Sequence, residues 1–197
     1  MSTAFVEPAT LAGRQATLEP LSLEHEAGIR LAVADGELWK LFFTTVPKPE
    51  NVRTYIEDLL AQRERGTAMA FAVRDNRSGE IVGGTRYLNI DAPNRRLEIG
   101  GTWYASRVQR TAVNTECKLM LLTHAFETLG CIAVEFRTDW FNKRSQAAIE
   151  RLGAKRDGLL RNHMIMPDGR VRDTVVYSII ENEWPGVKRN LQHKLEA

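Results

Sequence analysis

The chain has 197 residues, 43% hydrophobic and 26% charged, with a formal net charge of +2. That apolar content supports a packed core and excludes a disordered chain, and the near-neutral charge excludes a protein devoted to coating DNA or RNA. No run approaches the roughly 20 apolar residues of a membrane span, and residues 1–15 lack the basic-then-apolar pattern of a leader.

Cys117 and Cys131 fall in or beside one predicted helix, so no disulfide framework is expected. No repeat, low-complexity tract or Pro/Gly/Ser linker divides the chain, and the expectation is one soluble, cytoplasmic domain over residues 1–197. Residues 14–21 have the pattern of a strand, and Ser22 caps a helix running to Ala34. After an aromatic stretch at 38–43, Pro49-Glu50 opens an amphipathic helix. Its buried stripe is Val52, Tyr55, Ile56, Leu59 and Leu60, and Gly66 closes it. Three strands follow at 69–74, 81–90 and 96–104, with turn residues between them, which predicts an antiparallel meander. Residues 113–129 are apolar nearly all round, the mark of a buried helix, and Gly130 ends it. A strand at 132–138, a helix at 142–152 stopped by Gly153, and two strands around Pro167-Asp168-Gly169 complete the pattern. A last helix over 183–195 places Trp184, Val187, Leu191 and Leu195 on one face. The predicted fold is α/β (α+β), with a mostly antiparallel sheet and one central βαβ crossover.

Chemistry concentrates between residues 96 and 153. A strand runs through a polar, basic loop (ASRVQRTAVNTE) into a buried helix. A loop entering a helix presents unpaired N–H groups and the positive end of the macrodipole, a ready site for phosphate. Arg107 and Arg110 would add charge-assisted donors there. Without a glycine-rich signature, local pattern alone favours an ordinary strand–helix connection with two solvated arginines.

The order of elements resembles the GNAT superfamily of acetyl-CoA-dependent N-acetyltransferases, most closely its RimJ/RimL-type branch. The resemblance spans about residues 13–182, leaving a C-terminal helix at about 183–195. It is carried by three segments: EIGGTWYASRVQRTAVNTECKLMLLTHAFETLG, FRTDWFNKRSQAAIERLGAKRDGLLR and DGRVRDTVVYSI. Its most specific part is Asn142, Ser145, Leu152-Gly153-Ala154, Asp157-Gly158 and Asp173 with Tyr177-Ser178. The resemblance implies a GNAT-like sheet flanked by helices, acetyl-CoA as acyl donor, an amine acceptor, and no metal. Homodimer formation is compatible with such a fold.

The family's pyrophosphate loop matches residues 107–112. Arg107 and Ala112 fit it, while Arg110 stands where the first glycine is usual. The resemblance makes the backbone amides of Gln109, Arg110, Thr111, Ala112, Val113 and Asn114 the expected cofactor donors. Trp103 and Tyr104 would close the strand beside the thioester, contributing backbone rather than rings. Asn142 suits an N-cap on physical grounds, and its counterpart in the family also contacts the pantetheine or thiol region. Ser145 matches a serine near the CoA thiol, or is simply a first-turn residue. The tyrosine that many such enzymes use as general acid is matched here by Ile149.

An ammonium cannot attack a thioester until it loses a proton, so a base is needed. Glu98 lies on a core strand, where a carboxylate is costly unless paired or used. Alternation places Glu98 with Gly100 and Thr102, opposite Leu97 and Ile99. In similar sequences a glutamate here lies near the acceptor amine; the alternative is a partner for a nearby arginine. His163 is the second candidate, with an ordinary pKa of about 6.5 suited to neutral pH, though a plain strand histidine is compatible too. Cys117 and His124 share a helix face without a third orienting group and are expected to be packing residues. The four histidines show no metal-ligand spacing, and Lys143-Arg144 are either near the cofactor's 3′-phosphate or a solvated helix start. Two other function classes stay open: a non-catalytic acyl-CoA binder or sensor, and a nucleic-acid-associated module drawing on Arg107 and Arg110.

Overall fold

Eight strands assemble into a single sheet of order β1-β2-β3-β4-β5-β6-β8-β7 in a computed structural model that describes residues 4–196. Strand β1 (Leu11–Ala12) pairs antiparallel with β2 (Ala16–Pro20), an edge pairing that the sequence pattern did not reveal. The meander expected from the turn residues is present as β3 (Ala68–Asp75), β4 (Ile81–Asp91) and β5 (Arg96–Tyr104). Among the described residues parallel pairing occurs once, between β5 and β6 (Ala133–Asp139), across the crossover helix α3 (Ala112–Thr123). Helix α4 (Lys143–Leu152), β7 (Lys155–Ile165), β8 (Val171–Ile180) and α5 (Trp184–Glu196) complete the chain.

Each face of the sheet is covered by helices whose apolar stripes match it. Helix α1 (Glu26–Ala34) packs on β4 and α2 (Val52–Glu64) on β3, and these define the front face. In α2, Val52, Ile56 and Leu59 are buried, as the i, i+4, i+7 spacing requires. The back face carries α3 against α5. Tyr87 donates from β4 to the Leu121 carbonyl of α3 at 2.6 Å, and Tyr177 donates from β8 to Glu150 of α4 at 2.8 Å. Trp184, Val187 and Leu191 form the buried stripe of α5.

Two local departures have clear causes. The helix expected from Ser22 begins as a 3-10 turn at Leu23–His25, where the Ser22 N–H donates to His25 Nδ1 at 3.1 Å. The helix expected over 113–129 leaves α geometry at Thr123 and continues as a π-turn over His124–Thr128. There Leu129 N–H bonds the His124 carbonyl five residues back, and Gly130 at φ +65° ends the element.

Candidate active site

Strands β5 and β6 are paired at three positions, Arg96, Leu97 and Glu98 against Ala133, Val134 and Glu135. Beyond Glu98, β5 stays with β4 and β6 stays with β8. The two strands therefore part, leaving a wedge with unpaired backbone edges at their carboxyl ends. The chain leaves β5 for α3 and leaves β6 for α4, so both helix N-termini lie at the mouth of this wedge. That arrangement is suited to an anionic ligand.

At the wedge β5 carries a bulge. Trp103 is opposite Gly84 and Gly100 opposite Arg86, so one extra residue sits on β5. Gly101 takes up the irregularity at φ +55°, and a Cβ on it would lie 2.5 Å from Arg86 Nε. The bulge corrects the simple alternation. Leu97, Glu98 and Ile99 obey it, but Thr102 is turned to the back face, where its hydroxyl accepts from Lys118 of α3 at 2.7 Å and meets the Thr85 hydroxyl at 2.8 Å. Burial lowers the Lys118 ammonium from its ordinary 10.5 to about 8.

The loop before α3 is held by its own side chains. Arg110 lies at φ +63°, the left-handed region that favours glycine. Thr111 caps α3 by accepting from Val113 N–H at 3.4 Å while donating to the Val108 carbonyl at 2.7 Å. Gln109 donates to the Tyr104 carbonyl at 3.0 Å and accepts from Arg144 of α4 at 3.1 Å, bridging the two helix starts. The Arg107 guanidinium is engaged by Asp35 and Glu80, each at 3.0 Å. Ala112 and Asn114 are half-buried and Val113 is buried. Asn142 is the N-cap of α4, accepting from Ser145 N–H at 3.0 Å, and Ile149 is buried behind them.

Glu98 lies on the front face at the base of the wedge, 5% exposed. Its carboxylate accepts from the Asn89 side chain at 2.7 Å and has Arg137 Nε at 3.5 Å. Burial pushes the carboxyl above its ordinary range, with Asn89 and then Arg137 opposing the rise. His163 stands where β7 widens, with Leu160 opposite Thr174 and Met164 opposite Arg172. Its Nδ1 is 3.1 Å from the Thr174 hydroxyl, and desolvation followed by Arg137 and Arg172 holds it below its ordinary value. Trp103 is buried beside Gly84, in a crevice shared with Tyr55 and Arg86, whereas Tyr104 is buried toward Cys117.

Several charged residues in this cluster escaped the sequence reading. Asp139 is fully buried and accepts from Phe141 N–H at 2.9 Å and from Arg170 at 2.7 Å. Glu135, Arg137 and Asp139 alternate along β6 on the face of Glu98, and that period of two was the available signal.

The acetyltransferase (GNAT) domain family matches residues 15–155 of this sequence. The chain belongs to the GNAT acetyltransferase family. By that membership this GNAT protein is an N-acetyltransferase. YdaF of Bacillus subtilis, provisionally named a ribosomal N-acetyltransferase, is 30% identical over 150 residues, covering 75% of this chain and 80% of YdaF. The uncharacterised N-acetyltransferase p20 of Bacillus licheniformis is 25% identical over 189 residues, covering 90% of this chain and 99% of p20. A GCN5-related N-acetyltransferase from Brucella melitensis superposes with a TM-score of 0.84 at 30% identity, over 96% of this chain and 86% of the other. RimJ of Mycobacterium smegmatis, solved with CoA-disulfide, shares the fold at a TM-score of 0.79 and 22% identity over 95% of each chain.

Acetyl-CoA supplies an activated acyl thioester in GNAT chemistry. The wedge suits such a donor, because Val113 is the one first-turn amide of α3 that a side chain satisfies among the described residues. The remaining N–H groups are free to bind phosphate oxygens. Among the described residues, no helix is long and apolar enough to cross a membrane.

Proposed function

We propose that the protein transfers the acetyl group of acetyl-CoA to a primary amine, a protein N-terminus or a small amine, by direct attack within a ternary complex. The observation that carries this reading is the buried Glu98 carboxylate at the point where β5 and β6 part. A carboxyl whose proton affinity burial raises is suited to removing a proton from an ammonium, directly or through water. Backbone amides of Arg110, Thr111, Ala112 and Asn114 hold the pyrophosphate, those of Gln109 and Val113 being engaged by the Ser106 carbonyl and the Thr111 hydroxyl, and Arg110 and Arg144 add positive charge at the mouth of the wedge. Arg107 fixes the loop through Asp35 and Glu80. Backbone groups of Trp103 and Tyr104, set by the Gly101 bulge, orient the acyl group.

Asn142 organises the α4 start and, with Ser145, lines the thiol end. Ser145 or water returns the proton to the departing thiolate, since Ile149 offers none. His163 is the second base candidate, on the front face with Arg137 and Arg172. A cytoplasmic location and homodimer formation complete the proposal. The test is thiol release from acetyl-CoA with a panel of amines and peptides, alongside CoA binding by calorimetry. A non-catalytic CoA binder is the second reading, favoured by Arg110 at φ +63° and the buried Ile149. It requires CoA binding with no thiol release for any amine.

A further inference from the structure

Five guanidinium groups surround three carboxylates on the front face beside the wedge. Glu135 is taken by Arg96 at 2.5 Å and Arg137 at 2.9 Å, Glu98 has Asn89 and Arg137, and Asp139 has Arg170. Arg86 and Arg172 are left with no carboxylate at hydrogen-bond distance among the described residues; the nearest to Arg172 is Asp139, at 3.9 Å. Arg86 Nε, Arg170 Nε and Nη1, and Arg172 Nε are buried without an acceptor among the described residues. Buried donors without partners are rare and costly in native structures, and guanidinium donors are matched to planar oxyanions.

Both Arg86 and Arg172 lie on the face of the proposed base. Arg86 is in register with Gly100, and a Cβ on Gly100 would lie 2.8 Å from Glu98 Oε1. Arg172 feels both Glu98 and Asp139, and burial lowers its own proton affinity. Its side chain remains 14% exposed, and that of Arg170 23%, so both have an accessible edge.

We infer that the acceptor amine carries a carboxylate a few atoms away, received by Arg86 and Arg172 while Glu98 faces the amine. This deepens the acetyl-transfer reading and rests on it. The same positive field disfavours polyamines and other polycationic acceptors and favours the neutral, attacking form of the bound amine. A free amino acid and a peptide with an acidic residue at its N-terminal end both offer this chemistry.

The direct test is calorimetric binding of N-acetylglycine and of its carboxamide, N-acetylglycinamide, to the protein loaded with CoA. The carboxylate is expected to bind about tenfold tighter or more, as charge-assisted hydrogen bonds require. The preference is expected to vanish in Arg172→Gln and Arg86→Gln and to persist in Arg161→Gln, whose side chain is 75% exposed on β7. Equal binding of acid and amide by the unaltered protein overturns the inference, whether or not the variants fold. Thiol release with glycine, glycinamide, spermidine and peptides beginning Ser-Asp or Ser-Lys separates the two acceptor sources. Equal turnover across that panel removes the carboxylate requirement and leaves the transferase reading standing. A carboxylate preference in binding, with no thiol release for any amine, keeps the anion site and removes the transferase reading.

Discussion

The Asn89 side-chain amide donates to the Glu98 carboxylate at 2.7 Å, and it reaches there because β4 bulges at Asn89, which sits at φ +49°. A bulge on one strand thus lowers the proton affinity of a carboxylate on the next, against the larger effect of burial. Asn89→Ala removes a bond that lowers the Glu98 pKa, so the carboxyl rises further and ionises at higher pH. The acid limb of the pH profile for acetyl transfer moves to higher pH. An unmoved limb would separate Glu98 from the titration that controls the reaction.

Lys118 is buried on the back face with Thr102 as its hydrogen-bond partner, and its pKa falls from 10.5 to about 8. Between those values the unfolded chain binds the proton that the folded protein has released, so stability rises with pH across that window. Lys118→Met removes this dependence. The variant is more stable than the unaltered protein at pH 7, by on the order of a few kcal/mol, and its advantage shrinks as pH rises from about 8 to 10.5. Thermal melts across that range check it; a pH-independent difference contradicts it.

Arg110 holds a left-handed conformation that costs a side-chain-bearing residue about 1 kcal/mol or more relative to glycine. Arg110→Gly is expected to raise the melting temperature by about 2–4 °C, whereas Arg110→Ala keeps the strain and gives no such gain. Equal effects of the two would show that backbone strain is not what the position contributes.

Gly101 is the pivot of the β5 bulge, at φ +55° and with Arg86 Nε in the space a Cβ would fill. Gly101→Ala is expected to cost about 1–3 kcal/mol of stability. It should reduce thiol release more than CoA affinity, because the bulge orients the strand edge while the α3 loop holds the phosphates. A proportionate loss of both would place the bulge in cofactor binding instead.

The order of these elements and most of their faces could be read from periodicity alone. The 52–60 stripe, the 96–99 alternation and the Asn142 cap all follow local rules that tertiary packing leaves intact. The crossover loop stood out as a helix N-terminus fed by a polar, basic segment, and the family resemblance added the pyrophosphate to it. Thr102 was misplaced because a one-residue bulge reverses every side chain after it, and the GG pair at 100–101 is compatible with a regular strand as well. The front-face arginines come from β4, β5, β6, the β7–β8 turn and β8, so no window of sequence shows them as one group. The π-turn after Thr123 was equally hidden, since its residues carry ordinary helical patterning.

The central claim is that Glu98 takes the proton from the acceptor amine in an acetyl-CoA-dependent transfer, and one comparison tests it most directly. Thiol release with a productive amine is measured for the unaltered protein and for Glu98→Gln, with CoA affinity of both measured by calorimetry. The account predicts a fall in turnover of about 10²–10⁴-fold with CoA affinity unchanged. Equal turnover by the two proteins would contradict it.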